Sequence, residues 1–241
     1  MGVIKLGGVN LAPSNGGYYI SNVVRPLPSL EAEFRDGASD GETLENAALR
    51  NPLIEFDIWM TGSTGTQRRE QIRELSKKLA VKSGTKLEFS DDDGKYYQVV
   101  RQGDVVPQEF IDSAVIHVAF KSLYPWMFGT TQTFSSGESF VPDGNYPGVI
   151  ENSGYSDITS DSNGVIAFGG LTFNTGYADA VCRLSKYNTE TRQSELSVNG
   201  TYLGAPNISG TWPSPRPGSS MTINITKGTG TIRFLYRPRW V

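Results

Sequence analysis

The stretch NPLIEFDIWMTGSTGTQRREQIRELSKKLAVKSG, Asn51 to Gly84, changes its hydrophobic period halfway along. Ile54, Phe56, Ile58 and Met60 alternate with Glu55, Asp57 and Trp59, so a strand puts the first four on one face and the rest opposite. After Thr61 the period lengthens. Ile72, Leu75 and Leu79 fall at i, i+3 and i+7, one narrow apolar stripe on a helix expected over residues 66–83. Thr64 and Gln67 have capping-box spacing, with Thr66 as an alternative N-cap, and Gly84 supplies a left-handed residue to end the helix. Glu74 is placed to pair with Lys77 or Lys78. A helix of about four turns with so narrow a stripe is marginal alone in water, so the stripe must dock on a sheet.

Strand signals flank this block on both sides. Leu87 and Phe89 open a hairpin that turns at Asp91-Asp92-Asp93-Gly94 and returns through Tyr96 to Arg101. The three acids lack the ordered ligand spacing and terminal glutamate of a calcium loop, and read as a solvated turn. Ile116, Val118 and Phe120 alternate with His117, Ala119 and Lys121, and the block closes at Tyr124-Pro125-Trp126-Met127-Phe128-Gly129. Upstream, Pro26 and Pro28 mark an edge or linker, since proline cannot donate to a ladder. Leu30, Ala32 and Phe34 then alternate with Glu31, Glu33 and Arg35, a half-buried strand. Asp36 to Asn51 breaks that pattern with glycines and acids and reads as a loop, long enough to invite a functional explanation.

The polar run Thr130 to Gly137 reads as a linker, and from Glu138 onward no helical period occurs. Strands are expected at Val165–Phe168, Leu171–Phe173, Ala180–Leu184, Glu195–Val198, Met221–Ile225 and Ile232–Tyr236. Asn199-Gly200 is the strongest hairpin signal, because both residues tolerate positive φ. The expected organisation is mainly β: a domain over 1–129 with one helix, a linker over 130–137, and a β-sandwich over 138–241.

Composition narrows the function classes. The 241 residues suffice for two domains, and 37% hydrophobic residues with 27 Gly and 13 Pro suit many short strands and tight turns. A net charge of −3 offers no field for a polyanion, so nucleic acid is not an expected partner. No signal-peptide pattern opens the sequence and no apolar run is long enough to insert in a bilayer, so synthesis in a cytoplasm is expected. Cys182 is the only cysteine, in phase with Ala180 and Leu184, and reads as a small core residue. Asn199, Asn207 and Asn224 fit the glycosylation acceptor pattern but read as turn and strand residues.

No catalytic, cofactor or metal constellation is expected. His117 is the single histidine, which leaves a zinc site or a Ser-His-Asp triad without its usual partners. No phosphate loop or dinucleotide fingerprint occurs. Two carboxylates would serve a glycosidase, and Glu138, Asp143, Glu151 and Asp157 have the residue type, but nothing in sequence pairs them. Binding through surface remains. Tyr146, Tyr155, Tyr177, Tyr202 and Trp212 lie in or beside loops of the second domain, where aromatic faces can stack on sugars or protein partners. The acids and base of the long loop, Asp36, Asp40, Glu42, Glu45 and Arg50, and the helix cations Arg68, Arg69 and Arg73 are the candidate assembly surface.

Five landmarks in order carry a family resemblance: the Leu30–Phe34 strand before an Asp-Gly loop, Pro52–Met60 running into Thr61–Gly84, Tyr96-Tyr97, Tyr124-Pro125-Trp126, and Met221–Ile225 followed by Ile232–Trp240. Together they resemble the distal tail (Dit) proteins of phages with long non-contractile tails, over nearly the whole chain. The resemblance implies a ring-forming N-terminal domain and a galectin-like or carbohydrate-module-like C-terminal sandwich. It implies a homohexamer at the virion tail tip that joins the tail-tube protein to the tail-tip protein and carries receptor-binding or other baseplate proteins. It carries no catalytic residues. The alternative is a module that binds host cell-wall saccharide through the sandwich.

Overall fold

The computed structural model describes residues 3–12, 17–36, 42–62, 64–82, 84–198, 200–203 and 208–241, with the backbone alone at 34–36, 42–46, 202 and 203. The chain is mainly β and divides into two compact units, 1–128 with Val241, and 129–240.

The first unit is organised by the strand Leu53–Thr61. Ile54, Phe56, Ile58 and Met60 are at most 1% exposed, as their alternation requires. It pairs antiparallel with Ser113–Ser122, setting Ile54 opposite Phe120, Phe56 opposite Val118, Ile58 opposite Ile116 and Met60 opposite Ala114. All eight face the core, and each large one contributes about 1.5–3 kcal/mol by leaving water. Gly17–Val24 pairs along the other edge of Leu53–Thr61. From Ser113–Ser122 the sheet continues through Tyr96–Gln102 and Thr85–Phe89 to Ile4–Leu6 and Val9–Asn10.

The helix spans Gly65–Leu79, and Leu75, Leu79 and Gln71 are its buried residues, with Ile72 packed at the margin of the core. Thr64 is the N-cap, its hydroxyl accepting from the Gln67 backbone N–H at 3.2 Å. Glu74 pairs with Lys78 at 2.8 Å. The helix stops four residues short of the expected 83. Ala80 leaves helical geometry at ψ 63°, so Gly84, at φ +79°, instead starts the return to the sheet, its N–H donating to the Val99 carbonyl. The hairpin at Asp91–Gly94 forms as expected, and Arg25 clasps both Asp91 and Asp92, which gives those acids a structural partner.

The expected long loop is not borne out. Asp36–Asn51 is not a loop throughout, because Glu42–Leu49 is a strand that returns antiparallel on Leu30–Asp36. Its sequence, ETLENAAL, lacks clean alternation because a bulge between Glu33 and Phe34 shifts the register by one residue.

Among the described residues the second unit has two sheets that share one core, and a short third one in which Ser139–Phe140 pairs with Met221–Thr222. In the larger, Gln132–Ser135 pairs with Arg233–Trp240, which pairs with Tyr146–Asn152, and that strand meets Val181–Asn188 through Glu151 and Asn188. Val181–Asn188 is flanked by Ser156–Thr159 and by Gln193–Val198, and Gln193–Val198 pairs with Thr201–Leu203. The smaller runs Ile208–Gly210, Leu171–Asn174, Val165–Phe168, Ile225–Lys227. Inward residues from both, including Ile158, Ile166, Phe168, Cys182, Leu184, Leu196 and Phe234, are fully buried. Cys182 is thus a core residue, its thiol pushed up in pKa by burial. Gln132–Ser135 is a strand inside the expected linker, and Met221–Ile225 is two short strands, Met221–Thr222 and Ile225–Lys227. Tyr146–Asn152 and Ser156–Thr159 went unpredicted. Gly148 explains part of the first omission, since it interrupts the pattern so that the Tyr236 ring can approach, where a Cβ would lie 2.4 Å from that ring.

Candidate assembly surfaces

The hairpin Leu30–Leu49 is a sheet of two strands, with no third strand hydrogen-bonded to it among the described residues. Leu30 stands opposite Leu49 and Ala32 opposite Ala47, so these four share one face, while Glu31 and Ala48 occupy the other. On that second face Arg50 clasps Glu31 with two guanidinium nitrogens, which holds the Glu31 carboxyl below its usual range. Leu30 is 65% exposed, and Leu27 just before it 82%. The candidate acids fare unequally: Asp40 and the side chains of Asp36, Glu42 and Glu45 lie outside the described residues, and Arg50 is engaged within the hairpin.

Of the helix cations, Arg69 and Arg73 are exposed. Arg68 is not part of a free basic face: it is half-buried and donates to the Gly62 carbonyl at 3.1 Å, which ties the helix start to the loop before it.

A second surface lies on the outward face of Leu53–Thr61. Trp59 stacks on Tyr19 with ring centroids 5.6 Å apart and planes 4° from parallel, and on Phe110 at 6.0 Å and 14°. The Trp59 indole N–H donates to Ser21 Oγ at 3.0 Å, which fixes the middle ring. Phe110 is 49% exposed, Val106 68% and Ile111 96%, so this row of rings continues into open apolar surface. Next to it His117 Nδ1 meets Asp57 Oδ1 at 2.8 Å, and Asn22 Nδ2 donates to Asp57 Oδ2 at 2.6 Å. Asp57, then Glu55, hold the imidazole's pKa above its ordinary value. Sequence reasoning did not single out this surface. The signal was Trp59 itself, an aromatic on the polar face of an alternating strand.

In the second unit the five candidate aromatics are dispersed. Tyr155 is 76% exposed, with the Arg183 guanidinium 5.8 Å from its ring centroid, and Tyr177 is half exposed. Tyr146 is half-buried at a strand start, and the Tyr202 side chain lies outside the described residues. Trp212 packs inward on Tyr187, centroids 5.2 Å apart, so it belongs to the core margin. Beside Tyr155, Arg183 grips Asp157 with Nε at 2.9 Å and Nη2 at 3.3 Å, and Asp157, Val181, Arg183, Ser197 and Gly200 line a shallow depression of ≈ 330 Å³. Among the described residues no cluster of three His, Cys, Asp or Glu side chains could hold a metal, and no helix is long and apolar enough to cross a membrane.

No family model and no curated protein matches this sequence. Among solved structures, the chain superimposes on the Dit protein of phage SPP1, described as a paradigm of the hub adsorption apparatus in phages infecting Gram-positive bacteria, with TM-score 0.69, 14% identity and full coverage of both chains. Two structures of the phage P2 baseplate in its activated conformation match at TM-score 0.48, with 8% and 9% identity over 98% of each chain, too distant to carry an argument. The fold is that of SPP1 Dit from end to end, in agreement with the resemblance read from the sequence.

Proposed function

We propose that this chain is a non-enzymatic hub protein of a phage tail tip, a homohexameric ring that joins the tail-tube protein to the tail-tip protein and carries receptor-binding parts. The observation that carries the reading is the full-length fold shared with SPP1 Dit, a hub adsorption protein, at 100% coverage of both chains. Two features of the chain support it. The first unit carries two separate unpartnered apolar surfaces, the Leu30–Leu49 hairpin and the Tyr19–Trp59–Phe110 row, and a ring built from heterologous contacts needs two different surfaces per subunit. The exposed apolar residues around Phe110 are also of a kind that marks protein contacts. Mass measurement in solution and negative-stain electron microscopy test the ring. Six-subunit particles are expected, alone or on adding the tail partners, and deletion of Ala38 to Ala48 is expected to abolish them while leaving a folded monomer. A persistent monomer at micromolar concentration with the partners present would overturn the reading.

A second role is compatible with the first. The exposed Tyr155 ring beside the Asp157–Arg183 ion pair has the elements of a saccharide contact, a stacking face flanked by a charged hydrogen-bonding fork. Binding of the intact protein to host wall polysaccharide, weakened at least tenfold by Tyr155→Ala, is the expected result. No binding by the intact protein would remove this role.

A further inference from the structure

Helix and sheet make the first unit two layers deep. Leu75 and Leu79 lie in one core with Ile54, Phe56, Ile58 and Met60, so the helix covers that face of Leu53–Thr61. Glu55, Asp57 and Trp59 point the other way. The outer side of the helix and the outer face of the sheet are therefore opposite sides of one body, and they cannot meet within one chain.

Each side carries a row of side chains. On the helix, Arg69, Arg73 and Lys77 recur at i, i+4 and i+8, all exposed and without an ion-pair partner among the described residues. Glu74 is taken by Lys78, and Glu70 pairs with none of the three. Like charges at that spacing repel, so the ridge weakens a helix that is already marginal. On the strand, Trp59, Asp57 and Glu55 give a ring and two carboxylates. The basic side chains next to them on Ser113–Ser122 are His117, which Asp57 and Glu55 flank, and Lys121, level with Leu53.

The two rows also share an order. The helix starts beside Thr61, where Arg68 holds the Gly62 carbonyl and Gln71 Nε2 donates to the Thr61 carbonyl at 3.4 Å. Its last turn leads to Thr85, which stands opposite Val99, and Val99 stands opposite Ser122, next to the Leu53 end of the strand. Helix and strand thus run in opposite directions. From the Thr61 end, Arg69, Arg73 and Lys77 on one side follow the same course as Trp59, Asp57 and Glu55 on the other. Four helical residues rise about 6 Å and two strand residues about 6.6 Å, so the rows stay in register over three positions.

We propose that the outer sheet face is covered by a second copy of this chain in the same orientation, whose helix lays its cationic ridge along it. Arg73 then meets Asp57 and Lys77 meets Glu55, whose carboxylates have acceptor capacity beyond their bonds to Asn22 and His117. Arg69 meets the aromatic row, whose end rings Tyr19 and Phe110 are 39% and 49% exposed, and a guanidinium is attracted to such ring faces. Each subunit gives one helix and receives one, a head-to-tail contact that closes into a ring if its rotation permits. This inference rests on the proposed assembly and names surfaces that make it.

The test reverses one charge on each side of the contact, in the full chain and under conditions in which the wild-type chain forms rings. Lys77→Glu and Glu55→Lys are each expected to weaken self-association at least tenfold by sedimentation, while thermal unfolding of the monomer stays unchanged. Mixed in equal amounts, the two variants are expected to regain wild-type association, because every alternate contact then pairs the two reversed charges and the rest pair the native ones. A local structural defect would not be cured by mixing. Single variants that associate like wild type, or that stay weak when mixed, would overturn this contact and leave the hub reading standing. A wild-type chain that stays monomeric with its tail partners would overturn both.

Discussion

The first unit contains two antiparallel strand pairs of similar length with opposite fates. Leu53–Thr61 against Ser113–Ser122 buries one face completely, with Phe56, Phe120 and their neighbours at 0–1% exposure under the helix. Leu30–Asp36 against Glu42–Leu49 has the same pairing chemistry and leaves Leu30 65% exposed. Backbone hydrogen bonds are common to both, so they do not account for the difference in burial. The first pair is held by its packed face, as most sheet stability is, whereas on the apolar side of the second Leu30 and Ala47 are exposed and Ala32 and Leu49 only half-buried.

The contrast can be broken at several strengths. Phe56→Ala removes a fully buried ring from the packed pair and should cost about 3–5 kcal/mol, seen as a large drop in the denaturation midpoint. If the loss were under 1 kcal/mol, the packed sheet would not be what holds this unit. Thr64→Ala removes the cap that starts the helix over that sheet and should cost about 1 kcal/mol. A smaller effect comes from His117 on the outward face. Its pKa is raised in the folded state by Asp57 and Glu55, so the stabilisation is fully present below about pH 6.5, the ordinary value, and fades as pH rises through the raised one. The imidazole is 60% exposed, which limits the contribution to less than about 1 kcal/mol. Unfolding midpoints of wild type and His117→Gln should therefore differ most near pH 5 and converge by pH 9. The smallest expected effect is Leu30→Ser, within about 0.5 kcal/mol on the monomer. A loss of 2 kcal/mol there would mean that the hairpin is packed by its own chain after all.

Much of the packed region was legible. The buried face of Leu53–Thr61, the Thr64 cap, the Glu74–Lys78 pair, the hairpin through Asp91–Gly94 and the buried Cys182 all follow from period or spacing, because each depends on residues close in sequence or on one strong alternation. Glu42–Leu49 was missed because its register is offset by a bulge, and Tyr146–Asn152 because Gly148 answers to the Tyr236 ring, 88 residues away, and not to its own strand. The candidate surface was less legible. Arg68 and Trp212 read as surface groups, yet the first holds the Gly62 carbonyl and the second packs on Tyr187.

The sequence by itself determined that the chain is β-rich with a single helical period, holds one histidine and one cysteine, and carries landmarks that resemble those of the distal tail proteins. These properties live in composition, in local period and in order along the chain. Only the tertiary structure decided that Tyr19, Trp59 and Phe110 form one row and that the hairpin leaves the far end of the same strands. Those facts depend on register across strands, which brings Tyr19 to Trp59, 40 positions further along the chain, and which no local pattern encodes.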